Sequence, residues 1–198
     1  MNGNEVKSYV YRRIEWLKGM PEPQQKAMLA NLRRGIGRSP GDMPELWGVF
    51  LQDMPPEMQQ ERGGATREEW AIYLALTLYA LHQQGYSISK NENMNQEGAS
   101  LGGAVSQLIK PEEDPTENSV LRRFNALATA SDIRECAHHL RGMVQLLRAN
   151  AIPLDYPKLA WDLFELQFKD KAPIVRLHWG QDYYWNFQSN EEKEKTDE

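Results

Sequence analysis

The sequence predicts an all-α protein, a helical bundle in two packed helical parts. Three observations support this fold class: apolar residues recur at spacings of three and four, capping residues precede those segments, and glycine or proline follows them. A chain of 198 residues can bury one sizeable core or two small ones. We expect an N-terminal helical part over residues 1–86 and a C-terminal bundle over residues 119–188.

The N-terminal part begins with two amphipathic helices and a short third one. The apolar stripe of the first helix ends at Gly19, which is placed to terminate it. Pro23 is placed to open the second helix and Gly35 to stop it. After a glycine-rich loop, Asp42 is in position to cap the short helix that carries Leu46 and Phe50.

The fourth helix is predicted to be the centre of the core. Thr66 and Glu69 form a T-x-x-E capping box, which is typical of a helix start. The run from Trp70 to Leu81 that follows is apolar on nearly every side, so it should be buried all round. Leu76 lies in the middle of this run, and we expect it to be a core residue.

Residues 87–118 combine a polar loop, which we expect to be mobile, with a short helix and a proline-containing linker. Ser100 can cap the short helix. The bundle that follows should end in an amphipathic segment after Pro173, although the β-branched pair Ile174–Val175 also permits a strand. The net acidic tail at 189–198 predicts disorder.

Composition restricts the classes of protein to which the chain can belong. A hydrophobic share of 40% with 26% charged residues is typical of a globular protein. No apolar stretch reaches the length of a membrane span, and the first residues lack the apolar core of a signal peptide. The single cysteine cannot form an internal disulfide. Together these features predict a cytoplasmic protein with no membrane partner.

The sequence offers no catalytic or metal constellation. Cys136 and His139 share a helix face, but they are two ligands where zinc takes three or four protein ligands, and His138 points elsewhere. Cys136 also lies in the middle of a helix, away from the N-terminal position that would stabilise a thiolate. We therefore expect no enzyme, no metal site and no cofactor.

The basic residues are more informative than the net charge of −5, which argues against a simple DNA-coating protein. Arg134, Arg141 and Arg148 step by seven, so they lie along one helix face. These three can also form a solvated helix face. Arg33 and Arg34, at the end of the second helix, can be cations that stabilise its C-terminus. Both alternatives stay open. As candidate nucleic-acid-binding residues we take Arg33, Arg34, Arg38, Arg67, Lys90, Arg122, Arg123, Arg134, Arg141, Arg148, Lys169 and Lys171.

Three ordered segments resemble the CasB family, the small subunits of type I-E CRISPR Cascade complexes. They are LRRGIGRSPGDMPELWGVF at 32–50, GASLGGAVSQLI at 98–109, and the stretch at 121–167 that begins LRRFNALATASDIRECAHHL; VRLHWGQDYY follows at 175–184. The resemblance covers nearly the whole chain before the acidic tail. Each motif alone is weakly specific, whereas the ordered set is strong.

The resemblance implies an all-helical, non-catalytic subunit of an antiviral surveillance complex. In such a complex two copies bridge the large subunit and the backbone subunits that hold the guide RNA. They retain target DNA in the R-loop, mainly by supporting the displaced strand. The alternative is a purely structural protein–protein adaptor without nucleic-acid contact, whose arginines would pair with neighbouring carboxylates. A third class, a metal-dependent RNase, would need clustered histidine, aspartate or glutamate residues.

Overall fold

The computed structural model describes residues 3–59, 63–110 and 113–194. Its α-helices are α1 (Gly3–Lys18), α2 (Glu22–Arg34), α3 (Trp47–Phe50), α4 (Arg67–His82), α5 (Leu101–Ser106), α6 (Ser119–Ala128), α7 (Ile133–Ala149), α8 (Tyr156–Glu165) and α9 (Ala172–Glu194). In these ranges there is no β-strand, only one isolated bridge between Asn95 and Leu154. The predicted all-α class is therefore confirmed. Among the described helices, none combines the length and apolarity that crossing a bilayer requires.

Most helix boundaries follow from local chemistry. The Thr66 hydroxyl accepts from the backbone N–H of Glu69, and the Glu69 carboxylate accepts from the N–H of Thr66, so the predicted capping box is formed. Ser100 caps α5 through one hydrogen bond, in which its hydroxyl accepts from the backbone N–H of Gly103. The predicted capping role of Asp42 was wrong, because its carboxylate instead accepts from the backbone N–H of Ser39 and closes the preceding loop.

Helix α4 is the centre of the core, as its apolar run predicts. Every residue from Ala71 to His82 is buried, and Leu76 is completely inaccessible to solvent. The helix packs against α1, α2, α7 and α8. Since α1 and α2 come from the N-terminal part and α7 and α8 from the C-terminal part, one continuous apolar cluster joins the two.

The long last helix packs closely on the short helix α5. Val175, Trp179 and Tyr183 of α9 are buried at helical spacing, so the strand alternative was wrong. At the crossing, a Cβ added to Gly102 would lie 2.1 Å from the carbonyl oxygen of Trp179. Only glycine allows this approach of the two backbones.

The segment between α4 and α5 is irregular but well connected by hydrogen bonds. The Gln83 amide nitrogen donates to the carbonyls of Tyr86 and Glu92, and its oxygen accepts from the N–H of Met94. Its mobility stays a prediction. At the other end of the chain, α9 extends to Glu194, six residues into the predicted disordered tail. A run of glutamate and lysine also favours a helix. Disorder of the tail stays a prediction, and residues 195–198 lie outside the described part.

Helix α4 ends in a buried histidine that makes stability depend on pH. The Nδ1 atom of His82 lies 2.9 Å from the Tyr156 hydroxyl, and burial lowers the pKa of His82 to about 4. The unfolded chain, with an ordinary pKa near 6.5, then binds the proton first as the pH falls. Stability contributed by neutral His82 should be complete above about pH 6.5 and lost progressively towards pH 4.

Urea unfolding of the protein between pH 7 and pH 5 should therefore show a falling free energy of unfolding. The slope from one proton reaches about 1.4 kcal/mol per pH unit. His82→Gln should be less stable at pH 7 but flatter over this interval, since it lacks the titrating group. Identical pH profiles for the two proteins would show that His82 does not cause the dependence.

Candidate nucleic-acid interface

A basic groove lies between the loop after α2 and helices α4 and α7. We call it the α7 groove; it encloses about 300 Å³. Its lining residues are Ile36, Gly37, Arg38, Ser39, Trp70, Leu74, Thr77, Leu78, Arg134, Ala137, His138 and Arg141. Three of them are arginines, and none of the described residues that line it is acidic. The groove thus combines an apolar floor, one indole and a strongly positive rim.

Helix α7 positions two of the groove arginines through its amphipathic pattern. Cys136, Leu140, Val144 and Leu147 are buried and fix the helix on the core. Arg134 and Arg141 are exposed on another face, two turns apart. Arg148 continues this row, which spans about 21 Å along the helix axis. The spacing of seven residues therefore places the three cations in one line, as predicted.

The two carboxylates nearest Arg134 in sequence are bound to other groups. Asp132 accepts from the backbone N–H of Arg134 and of Glu135 as the N-cap of α7. Glu135 accepts from both the N–H and the hydroxyl of Ser131. The Arg134 guanidinium instead lies over the indole of Trp70, 5.6 Å from the ring centre. Its charge therefore remains available at the groove.

Arg38 reaches the groove from a loop shaped by glycine. Gly37 has a φ of +79°, a conformation that glycine adopts without strain. The next residue, Arg38, donates its backbone N–H to the carbonyl of Gly35, which closes the turn at the end of α2. The fold thereby brings Arg38 beside Arg134 and Arg141, which lie about one hundred positions later in the chain. None of the three makes an ion pair with a described acidic residue.

Arg33 and Arg148 lie together near the C-terminal end of α4 and are half-buried. Arg148 donates to the Gln84 side-chain oxygen at 2.8 Å, and Arg33 approaches the carbonyl of Ala80 at 3.5 Å. Burial lowers the pKa of Arg33, and the positive charge of Arg148 lowers it further. Arg33 and Arg148 therefore add positive charge at the end of the row formed by Arg134, Arg141 and Arg148. Each of the two already contacts an oxygen atom of this chain.

Other candidate residues are neutralised or lie elsewhere. Arg34 forms an ion pair with Glu45 at 3.4 Å, and Lys171 forms one with Glu165 at 2.7 Å. The positive charge of Lys90 acts on the carboxylate of Glu22. Arg34 and Lys171 thus have the carboxylate pairing that an adaptor predicts, whereas Glu22 is paired with Lys26 and not with Lys90.

The last four candidates divide between two places. Arg122 and Arg123 are exposed on α6 and line neither the α7 groove nor the second pocket. Arg67 and Lys169 line this second pocket, of about 480 Å³, at the start of α9. It also contains Arg176, a residue to which the sequence did not point. In the sequence, Arg176 is distinguished only by its position directly after Val175 in an amphipathic segment, which indicates an exposed basic residue but not a pocket.

The environment of Cys136 does not favour nucleophilic catalysis. Cys136 is buried, and desolvation raises the pKa of its thiol to about 12. Such a thiol is not a nucleophile at neutral pH. Across the described part of the chain, no group of three or more histidine, cysteine, aspartate or glutamate residues is arranged to hold a metal ion.

A family comparison now identifies the chain. The family model for CRISPR-associated protein Cse2 matches residues 28–184 of this sequence. This range includes every arginine of the α7 groove. This protein belongs to the Cse2 family. Together with the solved CasB structures, this match confirms the resemblance to the CasB family that three sequence segments indicated. A search of curated proteins gave no match.

Solved structures of Cse2 and CasB proteins are similar to this Cse2-family chain over most of its length. CasB from Thermobifida fusca is 33% identical with a TM-score of 0.73, and the match covers 90% of this chain and 97% of that one. A Cse2-family protein from Thermus thermophilus is 24% identical with a TM-score of 0.64, covering 93% and 99%. A chain of a CRISPR RNA-guided surveillance complex is 21% identical with a TM-score of 0.69, covering 96% and 98%. The last two likenesses establish the fold alone.

Proposed function

We propose that this protein is a non-catalytic small subunit of an RNA-guided DNA surveillance complex, in which its α7 groove holds the displaced DNA strand. Membership of the Cse2 family supports the assignment to a CRISPR system. The observation that carries the proposal is the convergence of Arg38, Arg134 and Arg141 on one groove without a lining acid.

The chemistry of the groove fits a phosphate backbone. Guanidinium groups bind phosphate oxygens through two parallel hydrogen bonds and keep their charge at any physiological pH. In RNA-guided complexes base pairing reads the sequence, so a protein subunit needs only to hold backbones and the opened strand. A positive groove with an aromatic side chain, here Trp70, is the usual design for single strands.

The partners follow from this role. They are the large subunit and the backbone subunits of the complex, a second copy of this protein, the guide RNA and the target DNA. The net charge of −5 is compatible with such a subunit because it disfavours binding to bulk DNA outside the complex.

The test is charge reversal of two groove arginines. Arg134→Glu combined with Arg141→Glu, assembled with the partner subunits and guide RNA, should weaken binding of a matched double-stranded target by at least about 25-fold at 0.1 M salt. Each lost phosphate contact is worth about five-fold at that concentration and lowers the slope of log K against log salt by about 0.7. The effect should be equal for any target sequence, since backbone contacts carry no sequence information.

Lys18→Glu combined with Lys26→Glu is the matched control. It changes the net charge equally, but these lysines lie on α1 and α2 in ion pairs with Glu15 and Glu22. Gel-shift titrations over a range of salt concentrations, with assembly checked by native mass spectrometry, make the comparison. Affinity and salt slope equal to wild type in the groove variant would reject the proposal.

A structural adaptor is the second candidate function, and one observation favours it. Ile174, Leu177 and Trp185 on α9 are 53%, 60% and 72% exposed, so this helix presents apolar area that a protein partner could cover. In the adaptor hypothesis, the groove variant would bind target normally, whereas substitutions on this face would prevent assembly.

A further inference from the structure

His82 is a buried titratable residue that the proposed function does not use. It is the last residue of α4 and is completely inaccessible to solvent. Its Nδ1 atom shares a hydrogen bond with the Tyr156 hydroxyl, whereas Nε2 has no hydrogen-bond partner among the described residues. A buried polar atom without a partner is uncommon in folded proteins, so the packed state satisfies this side chain only in part.

No carboxylate in the described part of the chain is placed to neutralise a charged His82. Burial, together with the positive charge of Arg148, lowers the pKa of the imidazole to about 4, although the backbone of Ile152 acts in the opposite direction. The charged and titratable groups on the surrounding elements are Tyr79 of α4, Tyr156 of α8, Arg148 of α7, Arg33 of α2 and Glu15 of α1. Glu15, the acid among them, is in an ion pair with Lys18. An imidazolium at this position would therefore be a buried charge without a counter-ion.

Two irregular segments meet at this end of α4. They are residues 83–99, between α4 and α5, and residues 150–155, between α7 and α8; we call their contact the His82 seam. Backbone hydrogen bonds join the two segments from Gln96 to the Leu154 carbonyl, from Leu154 to the Met94 carbonyl, and from Asp155 to the Ala99 carbonyl. Irregular segments of this kind open at a lower free-energy cost than helices packed in a core.

We propose that the His82 seam is a pH-sensitive switch, in which protonation of His82 separates residues 83–99 from residues 150–155 and hydrates the ring while the helical core stays packed. Hydration removes the cost of the buried charge, and opening the seam achieves this at less cost than global unfolding. In the open state the ring has an ordinary pKa near 6.5. Because the pKa in the closed state is about 4, the open population should rise about 20-fold between pH 7 and pH 5. This inference is independent of the proposed function.

Amide hydrogen exchange of the whole chain tests the switch. Rates are expressed relative to those of an unstructured chain at the same pH, which removes the ordinary effect of pH on exchange. Protection of the Gln96, Leu154 and Asp155 amides should fall about 20-fold from pH 7 to pH 5. It should stay nearly constant in His82→Gln, which lacks the titrating ring. His178→Gln, changed at an exposed histidine of α9, is the matched control and should behave as wild type.

Urea separates opening of the seam from global unfolding, because its effect grows with the surface that an opening exposes. At pH 5 and low urea concentrations, exchange at Leu154 should be nearly independent of urea, whereas exchange at Leu76 in the core should accelerate steeply. Equal urea dependence at the two amides would overturn the inference. So would constant protection of the seam in wild type, or the same fall in His82→Gln. The urea series uses wild-type protein alone, so it remains decisive if His82→Gln does not fold.

Discussion

Replacing Leu76 by alanine should lower the free energy of unfolding by about 2–5 kcal/mol, the usual range for a truncated buried leucine. Leu76 is completely buried in α4, the helix against which both parts of the protein pack. The lost methyl groups would leave a cavity that rigid neighbours on several helices cannot close. Such a loss is a large fraction of the stability of a typical domain. Urea denaturation followed by circular dichroism measures it.

Leu177→Ala provides the matched control for this prediction. The chemical change is identical, but Leu177 is 60% exposed on α9, so the cost should stay within about 0.5 kcal/mol. A cost below about 1 kcal/mol for Leu76→Ala would show that α4 is not the centre of the core.

Replacing Gly102 by alanine should destabilise the protein by about 3 kcal/mol, at the upper end of the usual cost of overpacking. The added Cβ would meet the carbonyl oxygen of Trp179 at 2.1 Å and the backbone nitrogen of Tyr183 at 2.8 Å. Because these are backbone atoms, no change of rotamer relieves the collision, and α5 and α9 must separate. This cost outweighs the helix propensity that alanine would gain over glycine, about 1 kcal/mol.

Gly180→Ala distinguishes crowding from propensity. Gly180 lies on α9 directly after Trp179, but nothing lies within 4 Å of an added Cβ. There the propensity term acts alone, and we expect a gain of up to about 1 kcal/mol. Thermal and urea unfolding of the two variants should therefore move in opposite directions. A stabilised Gly102→Ala protein would mean that the two helices do not approach as closely as the structure has them.

The predictable part of the fold was the part encoded locally. Capping by Thr66 and Ser100 depends on residues three positions apart, so the sequence contains the whole interaction. Asp42 was mispredicted because two local partners competed for its carboxylate, and the turn N–H of Ser39 prevailed over a helix start. The close crossing at Gly102 joins residues about eighty positions apart, and no local pattern reports it.

The arrangement of the α7 groove was likewise predictable only where it depends on local sequence. Helical periodicity alone aligned Arg134 with Arg141. That Arg38 joins them depends on how the loop after α2 folds over α4 and α7, which is a tertiary property. Arg34 shows the opposite case, since its neighbour in sequence Arg33 faces α4 while Arg34 itself pairs with Glu45. Adjacent arginines on a helix thus have different roles that only packing decides.

The α7 groove has a cationic rim made of arginine alone, with no lysine among its lining residues in the described part of the chain. Arginine stays protonated throughout the physiological range, so the charge of these three guanidinium groups does not titrate there. The fold behaves differently, because buried His82 makes it less stable in mild acid. Acidification should therefore weaken the fold through His82, while the charge on the three groove arginines stays the same.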